Sequence, residues 1–212
     1  NPYGEGYYDD FNTAVGLDSA GHTQLHHKGK LVIGVENTPT VIFDLMQFLV
    51  IDLGGVVGQI GMGQHGTAFG HAGMRMGPAI CYEGLYGDFY GDFVRRGAQF
   101  MAIISNDGWW GDTPGYKHLF TISRLRAIEH RRAIARSANT GMSGFISARG
   151  DIGETLGWEK RGVISAAVPL NSELTFYTRY GDYLGRISEY LTLLCVLYYI
   201  AYRVKRKNYL VK

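Results

Sequence analysis

The stretch GPAICYEGLYGDFYGDFVRRGAQFMAIISN, residues 77–106, decides the fold. A short apolar run, Pro78-Ala79-Ile80, stops at a cysteine and resumes as an amphipathic segment. Leu85, Tyr86, Phe89, Tyr90, Phe93 and Val94 recur at helical spacing, and Gly97 ends that pattern. A second apolar run, Gln99–Asn106, has the length of a buried strand. Strand, cysteine turn, helix and strand in this order predict an α/β protein with parallel strands.

The same alternation continues outward. Phe11–Asp18 and Thr23–Glu36 read as two strands joined at Gly21, a hairpin. Pro39 interrupts, residues 41–51 read as a short helix or a surface-lying apolar segment, and residues 53–66 as a mobile glycine-rich arm. Residues 67–70 and 74–81 read as strands, and Tyr116–Ala138 as one long helix without Gly or Pro. Gly141–Ser147 and Arg161–Leu170 read as further strands around a turn at Ala148–Asp151. Paired strands near each end predict a layered sheet with some antiparallel pairs.

Hydrophobic residues make up 46% of the 212, enough for one sizeable core. A net charge of +2, with no aromatic-interleaved Arg/Lys stripe in the body of the chain, argues against a nucleic-acid partner. The 30 glycines are scattered rather than periodic, which predicts irregular loops and excludes a collagen-like repeat. Two cysteines, Cys81 and Cys195, are too few for a disulfide scaffold, so Cys81 is read as a free thiol. The spacings of His22, His26, His27, His65 and His71 match no zinc template, and GQIGMGQHG lacks the Lys-Ser/Thr of a phosphate-binding loop. No metal and no cofactor are expected.

The tail has another character. Tyr190–Tyr202 carries no charge, and extending it to Ile187–Val204 gives an 18-residue span, a marginal fit to a hydrocarbon core about 30 Å thick. RVKRKNYLVK then adds five Lys/Arg and no acid, which places residues 205–212 on the cytoplasmic side. The competing reading is an amphipathic helix packed on the domain or on a membrane surface.

A thiol reacts as its thiolate, which a neighbouring cation or helix N-terminus favours. Beyond the helix pattern that starts just after Cys81, HHKGKLVIGVE offers Lys28 and Lys30 on one face of a strand and Glu36 just past its end. A lysine there would favour the thiolate and donate to an oxyanion; a glutamate would orient the lysine or shuttle protons. The plainer readings are an inert core cysteine and a solvated Lys/Glu pair, and spacing alone does not choose between them.

Resemblance does. ICYEGLYGDF, RRGAQFMAIISNDGWWGDTPG and RLRAIEHRRAIARSANTG, with FNTAVGLD and HHKGKLVIGVE before them, resemble the nitrilase (carbon–nitrogen hydrolase) superfamily. More narrowly, they resemble the catalytic domain of the apolipoprotein N-acyltransferase family, over roughly residues 3–204. The resemblance implies a nitrilase-like α-β-β-α sandwich over residues 1–180, a transmembrane helix at 187–204 and a basic cytoplasmic tail. It implies Cys81 as nucleophile, Lys28 as catalytic lysine and Glu36 as the supporting glutamate. Tyr82 and Glu83 follow the nucleophile and shape its pocket; Trp109 and Trp110 in DGWWG are read as facing substrate. The implied reaction moves an acyl chain from a phospholipid to the cysteine and then to the N-terminal amine of a diacylglyceryl lipoprotein. It would run on the periplasmic side of the bacterial inner membrane, with no cofactor.

The chain departs from that family's pattern. The general-base glutamate belongs N-terminal to the strand near Phe11, and Glu5 in YGEGYYD does not match its motif. The chain is therefore read as N-terminally truncated and nearly inactive alone. His26 stands where Tyr is common and is expected at the surface; Ile33 stands where Pro is common. RLRAIEHRR is read as a helix with Arg124, Glu129 and Arg132 in internal ion pairs. Two rival readings remain: a membrane-tethered amidase, with water as acceptor, and a catalytically dead fragment that binds lipid or a partner.

Overall fold

Alternating side chains make Thr13–Leu17 (β1) and Thr23–His27 (β2) a hairpin, turned by Asp18 and by Gly21 at φ +85°. The computed structural model describes residues 10–32, 36 and 60–210. Glu5, Ile33, the segment 41–51 and residues 53–59 of the glycine-rich arm lie outside the described residues.

A six-stranded sheet carries the rest: Phe69–His71 (β3), Met74–Ile80 (β4), Phe100–Ser105 (β5), Ile134–Ala138 (β6), Ser143–Ile146 (β7) and Ile152–Leu156 (β8), in that spatial order. β4, β5 and β6 are parallel, and the flanking pairs are antiparallel. Parallel neighbours need crossovers. The helices Gly87–Arg95 (α1) and Pro114–His130 (α2) supply them. Tyr90, Phe93 and Val94 of α1 meet Ala79, Met101, Ile103, Ile134 and Ile146 of the sheet and Phe120 and Ala127 of α2 in one core. The hairpin is fastened to the large sheet by the Gln24 amide, which donates to Gly70 O at 2.9 Å and accepts from Gly70 N at 2.8 Å. The whole is a mixed α/β architecture with parallel and antiparallel pairs, as expected from the sequence.

Three expectations need correction. The helix read over Tyr116–Ala138 ends at His130, where Arg131 turns left-handed at φ +51°. Arg132 forces that stop: it is 1% exposed, and its guanidinium donates to Ala98 O at 2.7 Å and Glu173 O at 2.9 Å. The apolar residues after it then pair with β5 as β6. The last strand is Ile152–Leu156, not Arg161–Leu170. Ser147 closes a tight turn onto Asp151, so Ile152 reaches the free edge of β7 first, and Val163 is left 94% exposed. The strand read over Thr23–Glu36 stops at His27.

A short helix, Phe176–Tyr180 (α3), leads to Tyr183–Leu210 (α4). Within α4 the stretch Tyr183–Arg203 contains an 18-residue window of mean hydropathy 1.3, and none of that window is buried by the rest of the chain. Cys195 lies exposed on this helix, apart from Cys81, and both thiols are free.

Phe93 is fully buried at the centre of the core. Phe93→Ala is expected to destabilise the domain by about 3–5 kcal/mol, read from denaturant unfolding of the full chain in detergent followed by tryptophan fluorescence.

Candidate active site

Ligands of parallel sheets sit outside the carboxyl ends of the strands. A cavity of about 450 Å³ opens there, beyond Ile80 of β4 and Ile104 of β5. Its wall includes Cys81, Tyr82, Lys28, Glu36, Trp109 and Trp110, so six of the seven site residues read from the sequence converge on one space.

Cys81 begins a turn of 3₁₀ helix, Cys81–Leu85, and holds φ +47°. A side chain rarely adopts that backbone without compensation. The compensation comes from the seventh residue, Glu83, which is fully buried behind the cavity instead of lining it. One Glu83 oxygen accepts from Ile80 N and the other from Gly29 N, each at 2.6 Å. His26 Nε2 lies 3.1 Å from both oxygens. The carboxylate therefore ties the cysteine's turn to the lysine's loop across 54 residues of sequence. His26 is a buried partner of this knot, 1% exposed, and not the surface residue expected.

Lys28 is buried, and its ammonium donates to both Glu36 oxygens, at 2.7 and 2.8 Å. Val32 N at 2.8 Å and Asn12 Nδ2 at 2.9 Å also donate to Glu36. Burial alone pushes the Glu36 carboxyl up; the hydrogen bonds and charge of Lys28, with Val32 and Asn12, outweigh it and hold the group below its ordinary range. Glu36 is thus a fixed carboxylate that keeps a dry ammonium in place, which a buried charge requires. Lys30 does not share this space. Once the strand has ended at His27, Lys30 sits over the Tyr86 and Phe89 rings, 5.3 and 5.4 Å from their centroids.

The tryptophans are carried by a short helical turn, Gly108–Trp110. Its base is Asp107, fully buried, which accepts from Ser105 Oγ at 2.6 Å and pairs with the Arg136 guanidinium at 3.0 Å. Trp109 and Trp110 stay 54% and 44% exposed at the mouth. Asn12, Asn106 and the Asp107–Arg136 pair escaped the residue-by-residue reading. The SNDGWW block signals the second and part of the third; Asn12 carries no sequence signal. In RLRAIEHRR the Glu129 partner is Arg126, at 3.2 Å, while Arg124 donates to Gly150 O at 2.8 Å and Arg132 to backbone carbonyls. Among the described residues, no cluster of three or more His, Cys, Asp or Glu could hold a metal.

The carbon–nitrogen hydrolase family model matches residues 3–174. The chain belongs to the carbon–nitrogen hydrolase family. It is 36% identical over 181 residues to the apolipoprotein N-acyltransferase of Chlorobaculum tepidum, covering 82% of this chain and 34% of that protein. With the enzyme of the same name from Rhizobium meliloti it shares 42% over 97 residues, 46% of this chain and 18% of that one. The chain thus spans about a third or less of the length of these relatives. Among solved structures, the nitrilase-superfamily amidase of Nesterenkonia sp. AN1 superposes with a TM-score of 0.56 at 16% identity, over 82% of this chain and 60% of that one. A nitrilase-superfamily member from Saccharomyces cerevisiae gives 0.53 at 18%, over 71% and 51%. These likenesses establish the fold.

The Glu36 geometry predicts a pH dependence. A carboxyl depressed by folding stabilises the fold above its ordinary value of 4.5, and that contribution is lost as pH falls through the lower folded value. The thermal midpoint of the native chain should fall more steeply below pH 4.5 than that of Glu36→Gln, compared in scans at successive pH values.

Proposed function

We propose that this chain carries the acyl-transfer site of a membrane-bound N-acyltransferase, with Cys81 as nucleophile and Lys28 and Glu36 as its supporting pair. The observation that carries the reading is the shared cavity. A cysteine on a strained turn faces the same space as a buried ammonium, and Ile80, Ile104, Leu119 and two tryptophans make the remaining wall largely apolar. Such a wall suits a fatty acyl chain better than a small polar amide. The relatives named apolipoprotein N-acyltransferase support the same assignment.

In the first step the Cys81 sulfur attacks the ester carbonyl of a phospholipid. The C–O bond breaks, a lysophospholipid leaves with the thiol proton, and a thioester forms. The Lys28 ammonium and backbone N–H groups beside Tyr82 stabilise the oxyanion. In the second step the α-amine of a diacylglyceryl-modified lipoprotein attacks the thioester. The C–S bond breaks, an amide forms, and the thiol regains a proton from the amine. Trp109 and Trp110 border the passage for the acyl chain.

Among the described residues, Glu36 is the carboxylate on the cavity wall, and it is committed to Lys28, Val32 and Asn12. It is a poor acceptor for the thiol proton, so turnover by this chain alone is expected to be slow. We further assign residues 1–180 to the catalytic domain, 187–204 to a single membrane span and 205–212 to the cytoplasmic face. That places the domain on the periplasmic side of the inner membrane. The 18 residues of that span lie within the one helix α4 and rise about 27 Å, close to the thickness of the hydrocarbon core. The basic end sets the orientation.

The full chain, reconstituted with phospholipid and digested for mass spectrometry, should carry one acyl group on the Cys81 peptide, and Cys81→Ser should carry none. Multiple rapid turnovers with release of free fatty acid or ammonia, without transfer to an amine, would instead indicate a hydrolase.

A further inference from the structure

Two side-chain amides, Asn12 and Asn106, stand among the described lining residues of the Cys81 cavity, and they face different ways. Asn12 turns its NH2 to Glu36, at 2.9 Å. Asn106 turns its oxygen to the protein: Oδ1 accepts from Gly108 N at 3.2 Å and from Asn139 Nδ2 at 2.8 Å. The backbone fixes both orientations, because a peptide N–H can only donate. Gly108 N requires the oxygen of Asn106, and Asp107 N, 3.1 Å from Asn139 Oδ1, requires the oxygen of Asn139. The Asn106 NH2 is left without an acceptor among the described residues, at an exposed position on the cavity wall. It is a donor held in place with its hydrogens unspent.

Its position relative to the nucleophile says what it can serve. Ile80 and Ile104 are register partners on the parallel strands β4 and β5. Cys81 follows the first by one residue and Asn106 follows the second by two. The amide therefore stands about one strand spacing, ~4.8 Å, to the side of the cysteine's turn. The oxyanion of an acyl group on Cys81 is served by Lys28 and the backbone beside Tyr82, and the hydrocarbon of that group cannot use a donor. The attacking amine arrives from the open side, where Asn106, Trp109 and Trp110 are exposed. The α-amine of a peptide carries a carbonyl oxygen about 3 Å from its nitrogen. An alkylamine carries none. When the nitrogen reaches the thioester carbon, the first carbonyl of a peptide comes within reach of the Asn106 NH2.

We propose that Asn106 is a specificity-determining donor for the second step. Its Nδ2 hydrogen-bonds the carbonyl of the acceptor's first residue, so the acylated chain prefers the α-amine of a peptide to an amine without a neighbouring carbonyl. The proposal rests on the acyl-transfer reading of Cys81. As the nitrogen attacks, the C–S bond breaks, the amide forms and the amine's proton passes to sulfur. The Asn106 bond adds no step; it aims the nitrogen.

The test starts from the full chain in detergent, acylated on Cys81 with p-nitrophenyl palmitate. Sulfur displaces p-nitrophenolate, and the thiol proton goes to buffer. Two acceptors that differ only in the carboxamide are offered, S-hexadecylcysteine amide and S-hexadecylcysteamine. Each rate of amide formation is divided by the rate at which the same amine attacks a soluble palmitoyl thioester, which removes their unequal basicity. The native chain should favour the cysteine amide by at least about fivefold, the scale of one neutral hydrogen bond. Asn106→Asp keeps an oxygen for Gly108 N and Asn139 Nδ2 and removes the donor. It should bring the ratio close to one with the melting temperature unchanged. A native ratio near one, a preference that survives in Asn106→Asp, or an equal loss toward both acceptors would overturn the proposal. A chain that takes no acyl group on Cys81 from either the activated ester or a phospholipid sinks the acyl-transfer reading itself, whereas an acylated chain without preference sinks the role of Asn106 alone.

Discussion

The site depends on one carboxylate that never meets water. Glu83 spans the β4 terminus and the loop after β2, accepting from Ile80 N and Gly29 N while His26 packs against both oxygens. The peptide groups it holds precede Cys81 on one side and follow Lys28 on the other. Neither segment pairs with the other through a sheet ladder, since β2 and β4 belong to different sheets. Without this acceptor, two backbone donors would be stranded in the interior and the thiol and ammonium would lose their common frame. The residue after next to the cysteine thus acts as architecture, and chemistry is left to the groups it aligns.

The architecture was largely legible because its periodicities are strong. The α1 pattern and the strands on either side of it follow directly from residues 77–106, since one buried face with Tyr90, Phe93 and Val94 leaves a plain helical signature. The failures have a common cause. Tyr116–Ala138 reads as one helix because no Gly or Pro interrupts it, whereas Arg132 is buried among carbonyl groups that only the tertiary fold supplies. Arg161–Leu170 has good strand composition, but a tight turn gives the edge of β7 to a poorer candidate. Local propensity cannot see which segment reaches an edge first.

The site was legible in kind more than in arrangement. Cys81, Lys28 and Glu36 are singled out by resemblance to family blocks, and the structure brings them to one cavity. His26 was misplaced because a histidine in a polar run, HHKGK, carries no mark of burial; its partner lies 57 positions away. Asn12 was missed for the same reason, its contact to Glu36 being long-range. Polar residues that serve other polar residues leave no periodic trace.

The left-handed backbone at position 81 bears on the history of this chain. Glycine or asparagine would occupy that conformation more comfortably than a cysteine does. A polypeptide released from any demand for a sulfur nucleophile would be expected to drift toward one of them and gain stability by doing so. Here a cysteine occupies it, and the buried carboxylate of Glu83 holds its turn in place. The buried Glu83–His26 scaffold is what offsets the cost of that backbone in the folded chain.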